Sequence, residues 1–100
     1  MASFFSNLFK TQERVDFQEL LQNGALLVDV RSHDEYKSGH AKNSINIPLD
    51  KLESNLSKLP SNKNIIVVCQ SGMRSRSAAS FLKSRGYEHV YNGGSWSNFR

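Results

Sequence analysis

The chain has 100 residues, which is enough for one domain with a single hydrophobic core. Hydrophobic residues make up 38% and charged residues 22% of it, a balance that excludes a disordered chain and predicts a globular one. No apolar run approaches the roughly eighteen residues of a membrane helix, and residues 1–9 lack the basic start of a secretory signal. We therefore expect a soluble cytoplasmic protein with no membrane partner.

The basic residues that give the formal net charge of +4 are scattered along the chain. Their tightest group contains Arg74, Arg76, Lys83 and Arg85. They form no block of like charge and do not alternate with aromatic residues, so we predict a solvated basic surface and no nucleic-acid partner. The three histidines lack metal-ligand spacing, so we predict no metal site and no cofactor. The only cysteine, Cys69, excludes an internal disulfide.

The first predicted element is a short helix in an N-terminal extension, residues 1–12. Its apolar side chains lie at helical spacing: Phe4, Phe5, Leu8 and Phe9. Its polar face lacks the lysines and arginines of membrane-surface helices, so we expect this helix to dock on the domain. Residues 1–100 are predicted to form one domain.

Three later helices are predicted from an Asp or Ser that is followed three positions later by Glu, a pattern typical of helix starts. The pairs are Asp16 with Glu19, Ser32 with Glu35, and Asp50 with Glu53. The residues expected to end these helices are Gly24, Gly39 and Pro60. The third helix carries an apolar stripe of Leu52, Leu56 and Leu59. A fourth helix is predicted from about Ser75 to Arg85, before Gly86.

Short apolar runs between these helices predict strands. They cover residues 26–30, 45–47, 65–69 and 90–91, with a further short first strand near residues 14–15. The runs at 26–30 and 65–69 are apolar at successive positions, as in strands that are covered on both faces. Alternation of strands and helices at this spacing predicts an α/β fold, in which a mostly parallel sheet has helices on both faces.

The most informative segment is the cysteine loop, residues 69–75, which follows the strongest predicted strand. In parallel sheets, ligands lie beyond the carboxyl ends of the strands, where loops enter helices. Gly72 allows the loop to turn several backbone N–H groups toward one centre, and the next helix adds its partial positive charge. With Arg74 nearby, this arrangement would lower the pKa of the Cys69 thiol and hold an anionic sulfur.

Structural alternatives exist for each of these residues. A cysteine that ends a strand is more often core than nucleophile, and Arg74 could be a solvated first-turn arginine. Asp29 and Arg31 follow a strand at the same sheet edge as the cysteine loop. They either face the site or have a structural role, in which Asp29 forms a hydrogen bond to the loop backbone. In the structural reading, Arg31 pairs with Glu35 or Asp34. His40 is predicted to be a hydrogen-bonding loop residue, and Glu35 the capping partner of Ser32.

These motifs resemble those of the rhodanese family. The family's active loop reads C-x-x-G-x-R, which Cys69, Gly72 and Arg74 match. The other matches are D-V-R at 29–31, E-Y at 35–36, G-H at 39–40, N-I-P at 46–48 and G-G at 93–94. The matches follow the family's order from about residue 15 to residue 94.

The resemblance implies a rhodanese-like five-stranded parallel sheet and a sulfurtransferase that forms a persulfide on Cys69. Its donor would be thiosulfate or a similar small anion, and its acceptor a thiol, cyanide or a protein. Cys69 would be the catalytic nucleophile. The residues implied to bind substrate are Gln70, Ser71, Gly72, Met73, Arg74 and Ser75. Asp29 and Arg31 are candidates for a supporting layer behind them.

The chain departs from the family pattern in two places. After His40 it has Ala41, Asn43 and Ser44 where the family has a large aliphatic residue and then Gly-Ala. The family's tryptophan position is occupied by Asn98, and Trp96 comes earlier. We predict a packing role for Trp96, but the sequence leaves the closure of the C-terminus open.

The spacing of the same loop distinguishes between other functions of loop cysteines. Cysteine phosphatases use C-x5-R, whereas Arg74 gives C-x4-R and Arg76 gives C-x6-R, so we expect no phosphatase activity. A non-catalytic sulfur carrier, a regulatory module and a thiol-redox sensor on the same fold are the alternatives to sulfur transfer.

Overall fold

The computed structural model describes residues 15–100, so the predicted helix within residues 1–12 lies outside the described residues. The α-helices and strands, in chain order, are α1 (Phe17–Gln22), β1 (Leu26–Asp29), α2 (His33–Ser38), β2 (Ile45–Asn46), β3 (Ile65–Cys69), α3 (Met73–Ser84) and β4 (Val90–Ser95). Three 3-10 helices cover Leu49–Lys51, Glu53–Lys58 and Trp96–Phe99. No helix among residues 15–100 has the length and apolar character needed to cross a bilayer.

The strands form one parallel sheet in the order β2-β1-β3-β4, which confirms the predicted α/β fold. Residues 15–100 contain four strands rather than five. The missing one is the strand predicted near residues 14–15, since Val15 is not in a strand and residue 14 lies outside the described part. β3 pairs with both β1 and β4, with Asp29 opposite Val68. The carboxyl ends of β1 and β3 therefore lie side by side.

The sheet is covered on both faces by two hydrophobic clusters. On one face α3 and the first two 3-10 helices pack on alternate strand residues, which include Val28, Ile65 and Val67. On the other face α1 and the C-terminal segment pack on Leu27, Ile66 and Val68. Every residue of β3 is buried, and each fully buried Val or Ile side chain contributes about 1.5–3 kcal/mol. Burial on both faces explains why the runs at 26–30 and 65–69 are continuously apolar.

Two of the predicted helix starts are confirmed in detail. The side chain of Asp16 accepts a hydrogen bond of 3.1 Å from the backbone N–H of Glu19 and caps α1. Ser32 and Glu35 form both bonds of a capping box at the start of α2. These starts were predictable because the capping bonds join residues three positions apart.

The third predicted helix, from Asp50, is wrong. Two 3-10 helices occupy this region, Asp50 makes no capping bond, and Asn55 has non-helical backbone angles. The side chains of Ser54 and Asn55 both donate to the carbonyl of Lys51, at 3.1 and 2.7 Å. Such side-chain bonds compete with the α-helical ladder. Leu52 is nevertheless buried in the core, so the apolar stripe predicted packing correctly but not the helix type.

The fourth predicted helix exists but begins at Met73 rather than at about Ser75. It starts earlier because Gly72, at a φ of 98°, already serves as its N-cap. The helix ends at Ser84, before Gly86, as predicted.

The C-terminal segment closes the second face of the sheet. Trp96 and Phe99 pack against the second hydrophobic cluster, and the ring centroid of Phe99 lies 5.6 Å from that of Phe17. A side chain at Gly93 would clash with this packed region, because its Cβ would lie only 2.8 Å from Cγ2 of Ile66. Glycine is therefore required here by close approach.

Candidate functional site

Cys69 is the last residue of β3, and its sulfur lies beneath the cysteine loop. The residue is 1% exposed, yet its Sγ is not surrounded by aliphatic groups alone. The backbone N–H of Gly72 donates to Sγ at 3.0 Å, and that of Ser75 donates at 3.4 Å. The predicted convergence of main-chain amides on the sulfur is present.

Gly72 gives the loop its shape. Its φ of 98° lies in the left-handed region, where other residues are strained. This conformation turns its N–H back toward the Cys69 sulfur and leads directly into α3. The first turn of α3 then brings the N–H of Ser75 to the same atom.

The surroundings of Cys69 act on its pKa in two opposite ways. Burial raises the pKa of the thiol, because it disfavours the charged thiolate. Hydrogen bonds from the Ser75 hydroxyl and from the amides of Ser75, Gly72 and Ser71 lower it, and together they outweigh burial. The pKa of Cys69 therefore lies below its ordinary value, which favours a nucleophilic thiolate.

Asn92 on β4 links that strand to the cysteine loop by hydrogen bonds. The sequence motifs did not identify this residue. Its Oδ1 accepts from the Ser75 hydroxyl at 2.6 Å and from the Gly94 N–H at 2.9 Å, while its Nδ2 donates to the Gly72 carbonyl at 3.2 Å. A register shift in the β3–β4 pairing near this point places Val67 opposite Asn92 and Val68 opposite Gly94. The only signal in the sequence was its position before the Gly-Gly pair.

The guanidinium of Arg74 bonds Glu35 rather than the cysteine sulfur in this structure. It pairs with both oxygens of Glu35 on α2, at 2.6 and 2.9 Å. This pair lowers the pKa of Glu35 from 4.5 to about 2, with further help from the Ser32 backbone. Glu35 was predicted only as a capping residue, so its second role was missed.

The other residues of the cysteine loop face solvent. Gln70, Ser71 and Met73 are exposed, and Met73 is 71% exposed. The Gln70 side chain accepts a hydrogen bond of 3.3 Å from the indole N–H of Trp96. These side chains therefore line the outside of the loop, and the groups that bond Sγ are the backbone amides of Ser71, Gly72 and Ser75 and the Ser75 hydroxyl.

Asp29 and Arg31 form a buried pair behind the site. The Arg31 guanidinium and backbone N–H both donate to the Asp29 carboxylate, at 2.8–3.0 Å, and the guanidinium also donates to the Gly39 carbonyl. It lies 4.5 Å from the centre of the Trp96 ring. The prediction that Arg31 pairs with Glu35 or Asp34 is wrong, because Arg31 is buried against Trp96 and the carboxylate of Glu35 binds Arg74.

His40 lies outside the cysteine loop. Its Nδ1 is 2.8 Å from the Tyr36 carbonyl oxygen, and its ring stacks on that of Tyr36 at 3.8 Å. These contacts agree with the predicted role as a hydrogen-bonding loop residue. Within residues 15–100, no three His, Cys, Asp or Glu side chains come together as metal ligands.

Comparison with known proteins places this geometry in a family. A family model described as a rhodanese-like domain matches residues 13–100. The thiosulfate sulfurtransferase GlpE of Pseudomonas savastanoi is 35% identical over 75 residues, covering 75% of this chain and 71% of GlpE. The putative sulfur carrier protein YrkF of Bacillus subtilis is 35% identical over 81 residues, covering 81% of this chain and 42% of YrkF. The structure of the human single-domain sulfurtransferase TSTD1 matches with a TM-score of 0.74 and 30% identity, covering 81% of this chain and 86% of that one.

Several of the matched relatives are much longer proteins. The chain spans 42% of YrkF, 27% of a tRNA uridine(34) hydroxylase of Buchnera aphidicola and 22% of the adenylyltransferase and sulfurtransferase uba4 of Ogataea parapolymorpha. What this chain shares with them is one segment, and the activities in their names belong to longer chains.

Proposed function

The chain belongs to the rhodanese-like domain family of sulfurtransferases and sulfur carriers, and from this premise we propose that it transfers sulfane sulfur through a persulfide on Cys69. The observation that carries the proposal is the convergence of the Gly72 and Ser75 amides on the cysteine sulfur. These donors stabilise the attacking thiolate. Backbone N–H groups of the same loop would also donate hydrogen bonds to the outer sulfur of a persulfide anion.

The proposed reaction has two halves, and each needs only the thiolate and its substrates. In the first half, the Cys69 thiolate attacks the outer sulfur of thiosulfate. A new S–S bond forms, the S–S bond of thiosulfate breaks, and sulfite leaves with the bonding electron pair. In the second half, cyanide or a thiolate attacks the terminal sulfur, and Cys69 leaves as the thiolate. Since the chain has one cysteine, the sulfur must pass to another molecule.

The proposed site consists of Cys69, the backbone of residues 70–75 and Arg74. Arg74 is held by Glu35 in this structure, so we propose that it contacts a donor anion only by sharing or leaving that carboxylate. Asp29 and Arg31 position the loop indirectly. The Arg31 guanidinium lies against the Trp96 ring, and the Trp96 indole N–H donates a hydrogen bond to Gln70. The C-x4-R spacing supports sulfur chemistry over phosphate chemistry, because cysteine phosphatases use C-x5-R.

Intact-mass measurement after incubation with thiosulfate tests the proposal. We expect the protein to gain one sulfur atom, to lose it on addition of cyanide, and to gain none in Cys69→Ala. Failure of the wild type to gain sulfur from any sulfane donor would refute the proposal. Addition of oxygen atoms without sulfur would support a thiol-redox sensor instead. Sulfur gain that cyanide does not reverse would favour a carrier that discharges only to its own acceptor.

A further inference from the structure

The ion pair between Arg74 and Glu35 lies at the edge of the cysteine loop. Both oxygens of Glu35 are used, at 2.6 and 2.9 Å from the two terminal nitrogens of Arg74. The side chains are 39% and 36% exposed, so the pair faces solvent. A donor anion that reaches Arg74 from solvent therefore also meets the negative charge of Glu35.

Glu35 is held in place from its other side as well. Its Oε1 accepts from the backbone N–H and from the hydroxyl of Ser32, each at 3.0 Å, as part of the capping box of α2. The carboxylate is thus attached to a helix start and is not free to follow Arg74. An anion that draws Arg74 away must break the bidentate pair, while Glu35 stays where it is.

The charge of Arg74 is therefore already compensated when a donor arrives. Repulsion by a fixed carboxylate grows with each negative charge on the donor, so a dianion is disfavoured more than a monoanion. We infer that Glu35 determines donor specificity, disfavouring dianionic donors such as thiosulfate relative to monoanionic ones such as thiosulfonates and organic persulfides. This inference rests on the proposed sulfurtransferase function and narrows its substrate class.

Methanethiosulfonate is a suitable monoanionic probe, because it delivers the same sulfur by the same chemistry. The Cys69 thiolate attacks its outer sulfur, the S–S bond breaks, and methanesulfinate leaves with the electron pair. Thiosulfate and methanethiosulfonate therefore yield the same persulfide and differ in the charge of the donor and in one methyl group.

The test compares steady-state cyanolysis with the two donors in the wild type, Glu35→Gln and Glu53→Gln. Glutamine keeps an acceptor for the capping box, which takes Glu or Gln, so the start of α2 is retained. Glu53 is a matched control, because it also pairs with an arginine, Arg85, at 3.2 Å on the surface. The thermal midpoint of each variant checks that the fold is intact.

We expect Glu35→Gln to lower the KM for thiosulfate by about threefold to fivefold, the range of an exposed ion pair. The KM for methanethiosulfonate should fall by less than about twofold and kcat should stay unchanged, since Glu35 acts on binding through Arg74. Glu53→Gln should change neither KM. An unchanged thiosulfate KM, or equal changes for both donors, would overturn the inference. Absence of turnover with both donors in the wild type, together with no gain of sulfur by intact mass, would instead refute the proposed function.

Discussion

Replacement of Ser75 by alanine removes a side-chain hydroxyl that lies against the cysteine sulfur. Ser75 is fully buried, with its Oγ 3.4 Å from Sγ of Cys69 and 2.6 Å from Oδ1 of Asn92. The alanine variant keeps the Ser75 and Gly72 amides, and Oδ1 of Asn92 keeps its bond from the Gly94 N–H. No buried acceptor is left without a partner, so the effect should fall on Cys69.

The expected size follows from the loss of one hydrogen bond to a charged sulfur. Such bonds contribute about 1.5–3 kcal/mol, and we take the lower value because the hydroxyl, which accepts from Sγ and donates to Asn92 in this structure, must turn from Asn92 to donate to the thiolate. A loss of about 1.5 kcal/mol lowers the thiolate population about tenfold at any pH below the pKa of Cys69. Because the Ser75 hydroxyl lowers the pKa of Cys69, its removal should raise that pKa.

The assay is the rate of Cys69 alkylation by iodoacetamide as a function of pH, followed by intact mass. We expect Ser75→Ala to react about tenfold more slowly at pH values below the pKa of Cys69, with its profile displaced to higher pH. Ser77→Ala is the control, since Ser77 is exposed on the same helix. Identical profiles for the wild type, Ser75→Ala and Ser77→Ala would show that the backbone amides alone set the reactivity and would refute the role of the hydroxyl.

Two further predictions concern stability. Because the pKa of Glu35 is lowered from 4.5 to about 2, its stabilising contribution should be complete above pH 4.5 and lost as the pH falls through about 2. The difference in unfolding free energy between the wild type and Glu35→Gln, measured in urea, should shrink over that range, and a constant difference would contradict this. Gly93→Ala should destabilise the fold by about 1–3 kcal/mol in urea, because its Cβ would lie 2.8 Å from Ile66 and 2.9 Å from Val68. An unchanged urea midpoint would mean that β4 can shift to make room.

Much of the site could be predicted because its signals are local. The strand before Cys69, the glycine three residues later and the start of α3 lie within one short segment. The left-handed conformation of Gly72 and the first amides of the helix are consequences of that segment alone. The capping box of α2 was predictable for the same reason.

The incorrect predictions failed because side-chain hydrogen bonds and burial competed with the predicted arrangement. The pattern of apolar residues does not reveal these effects. The leucines after Asp50 are consistent with an α-helix, but Ser54 and Asn55 bond the Lys51 carbonyl and the chain adopts 3-10 turns. Arg31 had acidic neighbours on both sides in the sequence, and burial against Trp96 selected Asp29 as its partner.

The sequence by itself determined the alternation of strands and helices, the caps of α1 and α2, and the position of a cysteine at the end of a buried strand. Only the tertiary structure decided that Glu35 would hold Arg74, 39 positions away, and that Asn92 would bond Ser75, 17 positions away. The reason is physical, because caps and turns are bonds between near neighbours in the chain. A partner brought from another strand or helix is selected by the sheet order and register, which no local pattern encodes.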